Sequence, residues 1–138
     1  MNQIFDRLIR EAIEARESAY APYSCYLVGA ALLTADDRIY RGCNIENASY
    51  GATNCAERTA FFKAVSEGER KFKAIAVIGG LAGKNVSEYA YPCGICRQVM
   101  QEFCGPNFQI IVAKDTEDYR VITLTELLPE GFGGSSIV

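Results

Sequence analysis

Cys55, Glu57 and Arg58 lie within four residues of one another in "NCAERTA", and Cys93 and Cys96 follow in "PCGIC". The CxxC spacing lets two thiolates reach one ion from a loop and the first turn of a helix, and Cys55 is the candidate third ligand. Three protein ligands with one open position is the arrangement of catalytic zinc, with water in the fourth place. A closed structural site would need a fourth sulfur, for which Cys43 or Cys25 is available. Three thiolates leave a zinc ion with net negative charge, which weakens its power to acidify bound water. Arg58 is placed to donate hydrogen bonds to the sulfurs and withdraw that excess. Glu57, two residues beyond Cys55 on the same turn, can face the water without ligating the ion. A carboxylate there can take a proton from the water and pass it to a leaving group, which with a zinc hydroxide makes a complete hydrolytic apparatus.

The chain has 138 residues, six cysteines and no histidine. The missing imidazole removes Ser-His and Cys-His nucleophile pairs and every His-based zinc protease motif. The first fifteen residues lack the basic start and continuous apolar stretch of a secretory leader, so the cytoplasm is expected, with the cysteines held as thiols. Cys25, Cys43 and Cys104 read most simply as small buried apolar residues. The net charge of -3 gives no reason to expect a nucleic-acid partner, and no apolar run is long enough to span a bilayer. A redox dithiol would also use CxxC, but it would leave Cys55 and Glu57 without a role.

These groups need elements to hold them. One domain over residues 1–138 is expected from the length. Ile4, Phe5, Leu8, Ile9, Ala12 and Ile13 recur at helical spacing, which predicts an amphipathic helix over residues 3–18. Two β-rich runs, 26–33 and 38–45, flank "TADD" and predict a hairpin. A second helix is predicted over 55–67 and a third over 94–103, which puts Cys55 and Cys93 at helix N-termini, where the partial positive charge favours thiolates. "KAIAVIGG" and "FQIIVA" are apolar without alternation, as in strands covered on both faces, and a short strand is predicted near 119–122 before a helical turn at "LTELLP". The pattern predicts a three-layer α/β/α sandwich on a mixed five-stranded sheet, with a loose Gly/Ser tail at "GFGGSSIV".

"CAE" followed by "PCGIC" resembles the C-x-E…P-C-x-x-C form of the zinc deaminase signature. Through "PYSCYLVGAALL", "GCNIENASYGATNCAERTA", "YPCGICRQVMQEF" and "LTELLPEGF" the chain is similar to the small homotetrameric cytidine deaminases. The resemblance implies one Zn2+ per chain on Cys55, Cys93 and Cys96, with Glu57 as proton shuttle. It implies hydrolytic deamination of cytidine, and of 2'-deoxycytidine, by zinc-bound hydroxide in pyrimidine salvage. Asn44 and Glu46 match residues that hydrogen-bond the ribose hydroxyls, and the Ala56 N–H matches the donor to the base carbonyl. Tyr26 stands where the family carries a phenylalanine against the pyrimidine ring, and Tyr91 where many relatives have serine. Phe132 resembles a C-terminal aromatic that reaches into a neighbouring subunit's site, so the implied assembly is a homotetramer with sites completed by neighbours. The implied partner is a small nucleoside, with no nucleic acid and no membrane. Two alternatives keep the fold: a deaminase of another aminopyrimidine nucleoside, such as a nucleoside antibiotic, and a non-catalytic structural zinc module.

Overall fold

The computed structural model describes residues 2–137, so the last residue of the expected tail and Met1 lie outside the described residues. Helix α1 (Asn2–Ala15) buries Phe5, Leu8, Ile9 and Ala12 along one stripe and tightens into a 3-10 turn at Arg16–Ser18, where the predicted helix was to end. Strands β1 (Tyr26–Thr34) and β2 (Ile39–Cys43) form the hairpin. Its turn places Asp37 in the left-handed region, with φ 67°, and the Thr34 hydroxyl holds it by donating to Asp36 Oδ1 at 2.5 Å. β2 ends two residues earlier than expected because Asn44 turns its amide side chain onto the backbone of β1. Asn44 Oδ1 accepts from Val28 N at 2.9 Å and Nδ2 donates to Tyr26 O at 2.7 Å.

Helix α2 (Ala56–Ser66), strand β3 (Phe72–Leu81), helix α3 (Gly94–Phe103), strands β4 (Gln109–Ala113) and β5 (Tyr119–Thr123) and the short helix α4 (Leu124–Leu127) complete the order. The sheet runs β2-β1-β3-β4-β5; β3 and β4 are parallel across the α3 crossover, and the other pairs are antiparallel. Alternate residues of the central strands feed two cores. Ala31, Leu33, Ala74, Ala76 and Ile111 face α1, whereas Ala30, Leu32, Ile75, Val77 and Ile110 face α2 and α3. This is the three-layer arrangement, and residues 74–80 of β3 are buried without a break, as a doubly covered strand requires.

Two glycines let the helices come this close. A Cβ at Gly29 would stand 2.0 Å from Ala12 O of α1, and one at Gly42 would stand 2.2 Å from Ala56 O of α2. The Gly42 approach seats the start of α2 against β2. The tail is less loose than expected: Gly133 is buried beside Gln101, and residues Gly134–Ser136 close one 3-10 turn.

Candidate active site

Cys55 and Cys93 occupy the N-cap positions of α2 and α3, both with extended backbone and neither capping its helix with its sulfur. The two helix starts converge on one cavity that Val77 of β3 also lines, and Cys96 lies in the first turn of α3. Local bonds hold each start. Ile45 and Asn54 exchange backbone hydrogen bonds at 2.9 Å, and Thr59 Oγ1 donates to Cys43 O at 2.9 Å while accepting from Asn54 Nδ2 at 3.1 Å. On the other side Arg97 Nε donates to Pro92 O at 2.7 Å, and its Nη1 donates to Leu127 O at 2.8 Å. Arg97 was not singled out from the sequence, since its acceptors are carbonyls that only the fold brings to it.

The Cys55 and Cys93 sulfurs are 3.7 Å apart and those of Cys93 and Cys96 3.6 Å apart. Ligands about 2.3 Å from a tetrahedral zinc ion are about 3.8 Å from one another, so the trio fits the metal. Among the described residues no fourth cysteine or carboxylate completes the cluster, and neither Cys25 nor Cys43 belongs to it. Arg58 Nη2 donates to Cys55 Sγ at 3.3 Å. Burial opposes the Arg58 charge, but the Cys55 and Cys96 sulfurs outweigh it and hold the guanidinium more firmly protonated. Its Nε is buried without a protein acceptor. The Cys96 thiol, followed by Arg58 and Cys93, draws Cys55 down to about 5, while Cys96 is pushed up by its bond to Cys55 and by burial.

Glu57 is 4% exposed, and burial, with the Cys55 charge adding to it, lifts its carboxyl to about 7. It shares one cavity of about 380 Å3 with Tyr26, Asn44, Cys55, Ala56 and Cys93. Ala56 is the first residue of α2, and its N–H has no intrahelical acceptor. Asn44 lines the cavity with part of its hydrogen-bonding capacity already committed to Val28 and Tyr26, which leaves one N–H and one lone pair. Tyr89 and Tyr91 form another wall, a contribution the sequence did not disclose for Tyr89.

Glu46 does not line this cavity. It stands in an adjoining one of about 380 Å3 with Tyr23, Ser24 and Tyr50, and Thr53 borders both. Its carboxylate accepts from the N–H groups of Tyr23 (3.0 Å) and Ser24 (3.2 Å) and from the Ser24 hydroxyl, which hold it ionised. Phe132 is 61% exposed and lines neither cavity of its own chain; its carbonyl accepts from Gln98 Nε2 at 2.9 Å. Of the remaining cysteines, Cys43 and Cys104 are half-buried rather than buried as expected; Cys104 packs against the core, and burial pushes its thiol up to about 12. Cys25 departs from that expectation: it is exposed, in left-handed backbone with φ 57°, at the entry to β1.

Residues 3–112 match the family described as the cytidine and deoxycytidylate deaminase zinc-binding region. The chain is 51% identical over 127 residues to a cytidine deaminase of Sporosarcina psychrophila, covering 92% of this chain and 90% of that protein. It is 54% identical over 125 residues to a cytidine deaminase of Halalkalibacterium halodurans, covering 91% of each. A crystal structure of cytidine deaminase from Burkholderia pseudomallei superposes with a TM-score of 0.82 at 49% identity, covering 91% of this chain and 97% of that one.

Proposed function

This chain belongs to the cytidine and deoxycytidylate deaminase zinc-binding family, and on that premise we propose that it deaminates cytidine, and 2'-deoxycytidine, to the uridine product and ammonia. The observation that carries the reading is the meeting of three sulfurs at zinc-ligand spacing with a buried carboxyl in one cavity. Cys55, Cys93 and Cys96 would hold zinc, which would supply the acidification of a bound water.

The chain's own residues do the rest. Glu57, poised near neutrality, takes a proton from that water and delivers it to N3 of the pyrimidine as the water oxygen bonds C4; it then takes the second proton from that oxygen and delivers it to the amino group, which leaves as ammonia as the C4–N bond breaks. Its burial limits exchange with bulk water, so each proton it receives goes to the substrate. Arg58 draws charge from the Cys55 sulfur, which offsets the electron-rich ligand set. The Ala56 N–H, at a helix start, donates to the base carbonyl. The Tyr26 ring packs on the pyrimidine face, and its hydroxyl needs a polar partner or water. Asn44 has a free N–H for a ribose hydroxyl, and Glu46 reaches the sugar across the border formed by Thr53. Phe132, outward on its own chain, completes the site of a neighbouring copy in a homotetramer. A small water-soluble nucleoside substrate agrees with a single catalytic domain working in the cytoplasm. No helix among the described residues is long and apolar enough to cross a membrane.

The test follows the ultraviolet spectrum of cytidine with purified protein, alongside Glu57→Gln and a zinc determination on both. Conversion is expected, with zinc retained in the variant and turnover lowered by about 10²- to 10⁴-fold, the range of a positioned acid/base group. No conversion at about one zinc per chain, the stoichiometry of a single three-thiolate site, would sink the cytidine assignment.

A further inference from the structure

The segment joining β3 to α3 carries Cys93 yet contains no regular structure from residue 84 onward, so side chains must fix its path. Two tyrosines in it are tied to the β4–β5 hairpin. The Tyr89 hydroxyl donates to Asp118 Oδ1 at 2.5 Å, and Lys114 Nζ stands 4.7 Å over the Tyr89 ring. Arg120 Nη1 donates to the Tyr91 hydroxyl, with its guanidinium 5.9 Å from the centroid of the Tyr91 ring. The two rings meet edge to face, 6.4 Å between centroids at 76°. Between them Ala90 packs on the core beneath, against Gly79. All three residues face the cavity that holds Glu57 and Cys55.

The metal end of the same segment is fastened separately, by Arg97 on the Pro92 and Leu127 carbonyls. One short stretch therefore has two anchors of different origin: α3 and α4 hold the ligand Cys93, and the β4–β5 hairpin holds the wall formed by Tyr89, Ala90 and Tyr91. We propose that Arg120 and Asp118 are positioning residues that act through Tyr91 and Tyr89 to set the substrate-facing wall, independently of the metal ligand two residues on. The proposal rests on the nucleoside reading of the cavity given above. It assigns the hairpin, which touches no reacting atom, a part in substrate affinity.

A typical hydrogen bond is worth about 1 kcal/mol net, equivalent to about fivefold in an equilibrium constant. In the zinc-loaded enzyme, Tyr91→Phe and Arg120→Met are each expected to raise the KM for cytidine about fivefold. Their combination should raise it little beyond Arg120→Met alone, because both remove the same hydrogen bond. The kcat should stay within about twofold and the zinc per chain should not change, since Arg97 still holds the ligand end. Arg120→Lys, which keeps a cation over the ring and a donor for the hydroxyl, should recover most of the loss. On the same samples, amide hydrogen exchange should quicken in residues 88–91 and stay unchanged in α3. An unaltered KM, additive single effects, loss of zinc, or exchange that does not respond would each overturn the proposal. If the unaltered chain failed to turn over cytidine, the functional reading would fall, while the exchange measurement would still decide whether the hairpin pins this wall.

Discussion

Adding one methyl group at Gly42 should disable the site from behind. The added Cβ would stand 2.2 Å from Ala56 O and 2.5 Å from Ala60 N, both backbone atoms of α2 that cannot swing aside. Ordinary contact begins near 3.4 Å, so the helix must retreat by about 1.2 Å, the difference between 3.4 and 2.2 Å. The displaced first turn carries the Cys55 ligand, the Ala56 N–H and the Glu57 carboxyl together. A misplacement of about 1 Å costs on the order of 10²-fold in rate, and overpacking of this kind costs about 1–3 kcal/mol in stability. The assay is kcat/KM for cytidine on the folded, zinc-loaded Gly42→Ala protein, with chemical denaturation alongside. Gly29→Ala is the control, because its Cβ would clash as severely, 2.0 Å from Ala12 O, but against α1 in the opposite layer. It should lose comparable stability while keeping kcat/KM within about threefold, because no site group lies on α1. If Gly42→Ala kept its kcat/KM, or if both variants lost it alike, the reasoning that backbone contact seats the catalytic helix would be refuted.

Other outcomes follow from the same geometry. Arg58→Met removes the donor to Cys55 Sγ and should weaken zinc binding about 10- to 100-fold, measurable by competition with a chromophoric chelator; an unchanged affinity would count against its charge-balancing role. Asn44→Ala leaves Val28 N and Tyr26 O unpaired and should lower the unfolding free energy by about 1–3 kcal/mol as well as raise KM, so a purely kinetic effect would contradict its bracing role. Removing zinc with a chelator should lower the thermal midpoint, and restoring zinc should recover it, since the ion ties the starts of α2 and α3; a midpoint that ignores zinc would show that the two starts hold without it.

What could be read in the sequence was what is local. The apolar run of β3, the stripe of α1 and the spacing of Cys93 and Cys96 each lie within one element, so their periodicity and chemistry appear in a short window. Cys55 required pairing across thirty-eight residues, and the motif "CAE" with its flanks supplied that link. The features that escaped notice depend on contacts that the fold alone creates. Arg97 looks like any helical arginine until α4 brings the Leu127 carbonyl to it, thirty residues away in sequence. Gly42 resembles an ordinary strand glycine until α2 lies on it. The early end of β2 also escaped, because Asn44 is polar at a strand end, and only the register with β1 shows that its amide replaces a ladder residue. Cys25 was expected to be buried by its residue type, but its place at the bend into β1 keeps it outside.

Both metal-bearing helices begin with a residue that is poor at beginning a helix. At the N-cap of α2 and of α3 a serine hydroxyl would accept from the exposed N–H groups of the first turn, whereas the sulfurs there accept none. Cys55→Ser and Cys93→Ser would therefore each favour helix initiation by about 1 kcal/mol while destroying the ligand set. That gain belongs to the metal-free chain, because losing a ligand also forfeits the stability that bound zinc confers on the two helix starts. A search for thermostable variants run without zinc would favour serine at these positions, whereas the same search run with zinc would reject it.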